Sequence, residues 1–159
     1  MNEIDYGKLF VDFMPGTIGE FCSFYGIEHD NKAGRFFKSV HKREGGVYFS
    51  DYEPEFIYAV GKKAVADCLD EDPAEYWGHG IYISYLAGAL NYGKHWHDLA
   101  ILEVEALLDR IVLPDECPGE ARCAEVTVLR EVPLEECGIY GQILAKRRKR
   151  GWERCFIYQ

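Results

Sequence analysis

The sequence predicts an α+β fold, with helices in the first half and strands in the second. Three observations carry this. Residues 30–42 space Ala33, Phe36, Phe37 and Val40 along one helical face. Residues 124–132 alternate Val126 and Val128 with Glu125 and Thr127, the signature of a half-buried strand. No regular strand–helix alternation runs through the chain, and no Gly-x-Gly-x-x-Gly follows a strand, so a doubly wound nucleotide-binding fold has no support.

Taken in order, residues 20–27, EFCSFYGI, alternate and are rich in aromatics, which predicts a strand. Asp30 is positioned to cap the helix over 30–42, which Gly34 weakens. Gly45-Gly46 ends it, and residues 47–50 form a short strand or extended turn. Glu53-Pro54 starts a second helix reaching Leu69, with Phe56, Ile57, Val60, Ala64 and Cys68 as its apolar face. Residues 70–73 are a loop. Residues 78–93, GHGIYISYLAGALNYG, read as a strand running into a small-residue helical turn. Leu99–Leu107 with the following DRIVLP reads as a strand or strand pair, and Pro133 ends the strand over 124–132. Residues 137–145 and 153–159 are further strand candidates.

A chain of 159 residues fits one domain, 1–159. A domain of this size buries about 68–70% of its unfolded surface and needs no disulfide staples. Its 48% hydrophobic content supports a packed core rather than disorder. No apolar run reaches membrane-spanning length, and the acidic start MNEIDYGKLF lacks the pattern of a secretory signal; the expectation is a cytoplasmic protein without a membrane partner. The six cysteines, Cys22, Cys68, Cys117, Cys123, Cys137 and Cys155, form no Cys-x-x-Cys pair and read as buried free thiols. His95-Trp96-His97 without clustered thiols is a poor zinc ligand set, so no metal is expected.

The net charge of −9 disfavours nonspecific binding to nucleic acid or to acidic membranes. Lys146–Arg150 is a local exception. It reads either as a solvated helix end closed by Gly151 and Trp152, or as a patch for an acidic partner.

The stretch Gly78-His79-Gly80-Ile81-Tyr82, then Ala87, Ala89, Asn91 and Tyr92, then Leu102-Glu103-Val104, resembles the NAD-binding heart of the ADP-ribosyltransferase fold, in its poly(ADP-ribose) polymerase and diphtheria-toxin branch. That family places a catalytic glutamate at the start of a later strand, and Glu125 matches. In the family's first strand a histidine precedes glycine; the segment taken to match it here reads Phe24-Tyr25-Gly26-Ile27, with tyrosine at the histidine position.

The resemblance implies a single domain with a split, curved, mainly antiparallel β core. It implies NAD as a substrate, with Tyr82 and Tyr92 sandwiching the nicotinamide, Gly26 holding the carboxamide, Tyr25 the ribose, and Glu125 serving catalysis. Cleavage of the glycosidic bond builds oxocarbenium-like charge, which a nearby carboxylate stabilises. The acceptor would be a protein, and the compact chain suits a toxin, effector or phage-encoded modifier. Target choice would fall to short loops, Asp70–Trp77 or Asp115–Arg122. Other readings stand beside these. Tyr82 and Tyr92 also fit core aromatics, Glu125 and the pair Glu103 and Glu105 fit a wet strand face, and His79 fits a structural turn. The whole chain also fits a noncatalytic acidic inhibitor or interaction module that binds a basic surface, or a hydrolase that passes ADP-ribose to water.

Overall fold

Thr17 starts the first helix: its hydroxyl accepts from the Glu20 amide at 3.1 Å, and Gly26 closes the helix at φ 67°. The structure, a computed structural model, describes residues 6–10, 13–75, 77–115 and 118–150. This helix, α1 (Ile18–Tyr25), buries Phe21, Cys22 and Tyr25. Residues 20–27 are therefore not a strand. The aromatic spacing fits a helical stripe equally well, and the two caps decide between them.

Four strands follow: β1 (Ala33–Arg43), β2 (Val47–Phe49), β3 (Ile57–Tyr58) and β4 (Lys63–Val65). Both helices expected over this region are absent. The Asp30 carboxylate accepts from the amides of Lys32 at 2.7 Å and Ala33 at 2.9 Å, so it closes a turn into β1 rather than capping a helix. The apolar face expected over 54–69 does not exist, because Ile57, Val60 and Cys68 are exposed. A turn at Gly61, φ 82°, separates β3 from β4 instead.

Next come β5 (Ile81–Ser84), α2 (Leu86–Gly93), β6 (Leu99–Leu107), β7 (Ile111–Val112), β8 (Glu120–Cys123), β9 (Glu125–Val132) and α3 (Gly138–Lys149). The strand-then-helix reading of 78–93 and the strands over 99–107 and 124–132 match this order. The strand expected over 137–145 is α3, which docks through Gly141, Leu144 and Ala145. At Gly141 a Cβ would lie 2.2 Å from the Leu134 carbonyl oxygen, so a glycine lets the helix approach that turn. The basic run forms the last turn of α3, but it is not wholly solvated: Arg148 is half-buried and donates to the Leu99 carbonyl. Gly151, Trp152 and the strand candidate 153–159 lie outside the described residues.

All the strands join one antiparallel sheet in the order β4-β9-β6-β1-β5-β8-β7, with β2 and β3 as a ribbon beyond β1. β1 pairs with β6 from Ala33↔Leu107 to His41↔Leu99, and with β5 at Phe37↔Ser84. β6 explains its dense apolar sequence by being covered on both faces. Ala100, Leu102 and Val104 join a core with α1, while Leu99 and Ile101 join a second core with α2 and α3. Glu105 is exposed as a wet strand face requires, but Glu103 is buried and paired with Arg130 at 3.2 Å. The chain is thus α+β with a large antiparallel sheet, its helices spread along the sequence rather than gathered in the first half. Among the described residues no helix is long and apolar enough to cross a membrane. Cys22, Cys123 and Cys137 are buried free thiols and Cys68 an exposed one; Cys117 and Cys155 lie outside the described residues.

Candidate functional site

Two glycines and a buried arginine set the site's frame. Arg122, central in β8 and opposite Tyr82, has no solvent exposure. Its guanidinium donates to the backbone carbonyls of Asp70 at 2.8 Å, Asp72 at 2.6 Å and Glu75 at 3.3 Å, and so ties down the loop before β5. Gly78 passes directly over it: a Cβ there would lie 2.7 Å from Arg122 Cζ. Gly80 sits at φ 146°, where a Cβ would lie 2.8 Å from Leu69 Cδ1 and 3.3 Å from the Cys123 carbonyl oxygen. His79 between them turns outward and bonds Asp70 at 3.0 Å, so in its own contacts it is a turn residue. Gly80→Ala should therefore lower stability by about 1–3 kcal/mol in urea unfolding, through a strained φ and a backbone contact.

Beyond this frame, β1, β5 and α2 enclose a cavity of about 740 Å³. Tyr82, half-buried on β5, forms one wall, its hydroxyl donating to the Gly78 carbonyl at 2.7 Å. Tyr92, on the last turn of α2, forms another and is 43% exposed. Gly88 lies between them; a Cβ there would meet Ser84 Oγ at 2.3 Å. The small residues between the tyrosines thus serve the close packing of α2 on β5, and Gly88 also borders the cavity.

Glu120 opens β8 opposite Ser84, whose hydroxyl donates to the Gly119 carbonyl at 2.8 Å. It lines the same cavity, and its charge favours the protonated forms of both Lys38 and Tyr92. Asp51 is held at the mouth by His41, which bridges Asp98 at 2.6 Å and Asp51 at 2.7 Å and stacks between Trp96 and Phe49.

Lys38 rises from β1, donates to the Tyr82 carbonyl at 2.9 Å and lies 5.7 Å from the Tyr58 ring centre. It is half-buried and borders the cavity, and among the described lining residues it is the sole lysine or arginine. Burial pushes its ammonium from the usual 10.5 down to about 8, against the opposing pull of Cys123, Glu120 and Asp51. The unfolded chain holds this proton more tightly than the folded one. Lys38 therefore costs stability below pH 8, and the cost fades as pH rises from 8 toward 10.5. Lys38→Met should raise stability at pH 7 by about 1–3 kcal/mol and flatten the pH profile between 8 and 10. Thermal unfolding of the two proteins across that window checks this.

The structure does not bring the remaining expected residues into the cavity. Tyr25 is buried on α1 and stacks on Tyr85 at 4.3 Å, so it reaches the cavity lining only through that ring; burial also raises its hydroxyl pKa. Gly26 is the left-handed cap of α1. The first-strand match of 24–27 falls with the helix, since these residues are not in the sheet. Glu125 begins β9, which β6 and β1 separate from β5, and it pairs with Lys63 at 3.2 Å. Sequence reasoning did not single out Lys38 or Asp51, and it took in Glu120 and Trp77 only as members of loops expected to choose a target. Glu120 carries one local signal, a glutamate directly after a Pro-Gly turn, but only the pairing of β8 with β5 places it beside Tyr82's strand. It also shows that 120–122, expected within a loop, are strand.

An α+β chain with an aromatic cavity bordered by carboxylates and one half-buried lysine is the class that fold and site define. Compared with protein-family models, curated proteins and solved structures, the chain matches none of them.

Proposed function

We propose that the cavity binds the nicotinamide end of NAD and that the chain cleaves its glycosidic bond, transferring ADP-ribose to a protein acceptor. The observation that carries this is the placement of Tyr82, Tyr92 and Glu120 around one cavity. The nicotinamide of NAD is a planar cation. Aromatic faces attract it by stacking and cation–π attraction, and carboxylates favour its charge. Glu120 replaces Glu125 as the proposed catalytic group. As the C1′–N bond breaks, its electron pair neutralises the nicotinamide ring and positive charge builds on the ribose. A carboxylate beside that carbon stabilises the charge and takes the proton of the attacking nucleophile. Lys38 stands close enough to Glu120 to sense its charge, and would help to position that carboxylate in the cavity. The deciding experiment follows labelled NAD with purified protein and cell lysate. Label on a discrete protein supports transfer, free ADP-ribose alone supports hydrolysis, and unconsumed NAD removes the reading.

A second reading, a noncatalytic acidic module that binds a basic partner, is favoured by one observation: every charged residue of 51–60 and 64–77 is an aspartate or a glutamate. Salt-sensitive binding to a basic protein without NAD consumption would select it.

A further inference from the structure

We infer that the mouth of the cavity is a binding site for an arginine side chain of a basic protein partner. As a binding site it stands on geometry alone; as the site of the acceptor side chain it rests on the proposed NAD reading.

Two loops frame the mouth, 51–56 before β3 and 66–80 before β5, and both contribute to the cavity lining. Their charged residues are all acidic apart from His79, and Asp51, Glu53, Asp67, Asp72 and Glu75 are solvent-exposed. That alone would be an acidic surface. The second observation is aromatic. Tyr52 is 67% exposed and Trp77 is 57% exposed, and their rings stand 6.1 Å apart at 58°. Large rings in water are unfavourable unless something covers them, and both belong to the cavity lining. Trp77 is also held at φ 59°, a left-handed conformation that a bulky residue adopts at a cost of about 1–3 kcal/mol. The Arg122 clamp on the loop's carbonyls supplies the rigidity that holds it there.

Rings and carboxylates together define the ligand. A purely apolar ligand would leave Glu53 to lose water with nothing in return, and Asp51 with only the partners it already has. An anion meets the wrong charge. A guanidinium satisfies both: its flat face stacks on Tyr52 or Trp77, and its N–H groups face the carboxylates. Asp51 is already oriented by His41, so little ordering remains to be done on binding. The chain's net charge of −9 adds a long-range attraction for a basic partner.

The test titrates isotope-labelled full-length protein with three synthetic peptides of the same glycine-spaced sequence, carrying arginine, citrulline or lysine. The expected result is chemical-shift change confined to Tyr52, Trp77 and their neighbours, with the arginine peptide binding about tenfold or more tighter than the citrulline one. Binding should weaken as salt rises and fall by a similar factor in Tyr52→Ala and in Glu53→Gln. Both substitutions are on the exposed surface, and an unchanged unfolding midpoint confirms that they fold. Equal binding of arginine and citrulline peptides, or shifts that map away from the mouth, overturns the inference. Equal binding of arginine and lysine peptides overturns the assignment of a guanidinium. No NAD is present, so a failure here is distinct from a failure of NAD cleavage.

Discussion

Glu120→Gln should reduce NAD cleavage by about 10²–10⁴-fold, while Glu125→Gln stays within about threefold of the unsubstituted protein. The asymmetry is what makes the pair informative. Glutamine preserves size and hydrogen bonding but removes the negative charge and the basic oxygen. At Glu120 that deletes the charge bordering the cavity between Tyr82's strand and Tyr92. At Glu125 it deletes one surface partner of Lys63, a largely exposed lysine, and such pairs contribute little. The measurement is the rate of nicotinamide release by matched preparations of all three proteins. Loss with Glu125→Gln and retention with Glu120→Gln would reverse the assignment. Loss with neither would remove glycosidic cleavage at this cavity.

Arg122→Ala should destabilise the fold by about 3–5 kcal/mol, the largest effect expected of any single side chain here. Three backbone carbonyls, of Asp70, Asp72 and Glu75, lose their donor, and a wholly buried side chain leaves a void beneath Gly78. Urea unfolding gives the magnitude. Hydrogen exchange shows where the loss falls: protection should vanish first between residues 70 and 80, before the β1–β6 pairing opens. Arg122→Lys keeps a charge but has a compact ammonium in place of the guanidinium fork, so it should recover only part of the stability. If Arg122→Ala unfolds with the same midpoint as the unsubstituted chain, the guanidinium does not anchor this loop.

How legible the protein was depends on how local each signal is. The strand–helix unit over 78–93 could be read because its period changes within the segment itself, from Ile81 and Ile83 to the small residues of α2. β6 and β9 could be read because continuous or alternating apolar runs reflect burial on the faces of a sheet. Those three segments and the α+β class follow from side-chain order alone; the two tyrosines that line one cavity were singled out with the family resemblance.

The rest was decided by partners distant in sequence. Residues 30–42 carry a fair helical stripe, yet β6 and β5 flank this segment and claim its backbone hydrogen bonds, so it becomes the sheet's central strand. Residues 20–27 and 137–145 read equally well in two periods, and caps and docking surfaces chose the helix. Glu120 and Glu125 both begin strands, and nothing in their neighbours along the chain says which faces the cavity. That depends on the strand beside each, β5 for Glu120, β4 and β6 for Glu125. Composition, period and turn chemistry act within a few residues of themselves, and so the sequence alone determined the class and the strand–helix unit that carries the two tyrosines. Strand order is an energy shared between segments far apart in the chain, and only the tertiary structure could decide which carboxylate meets the tyrosines.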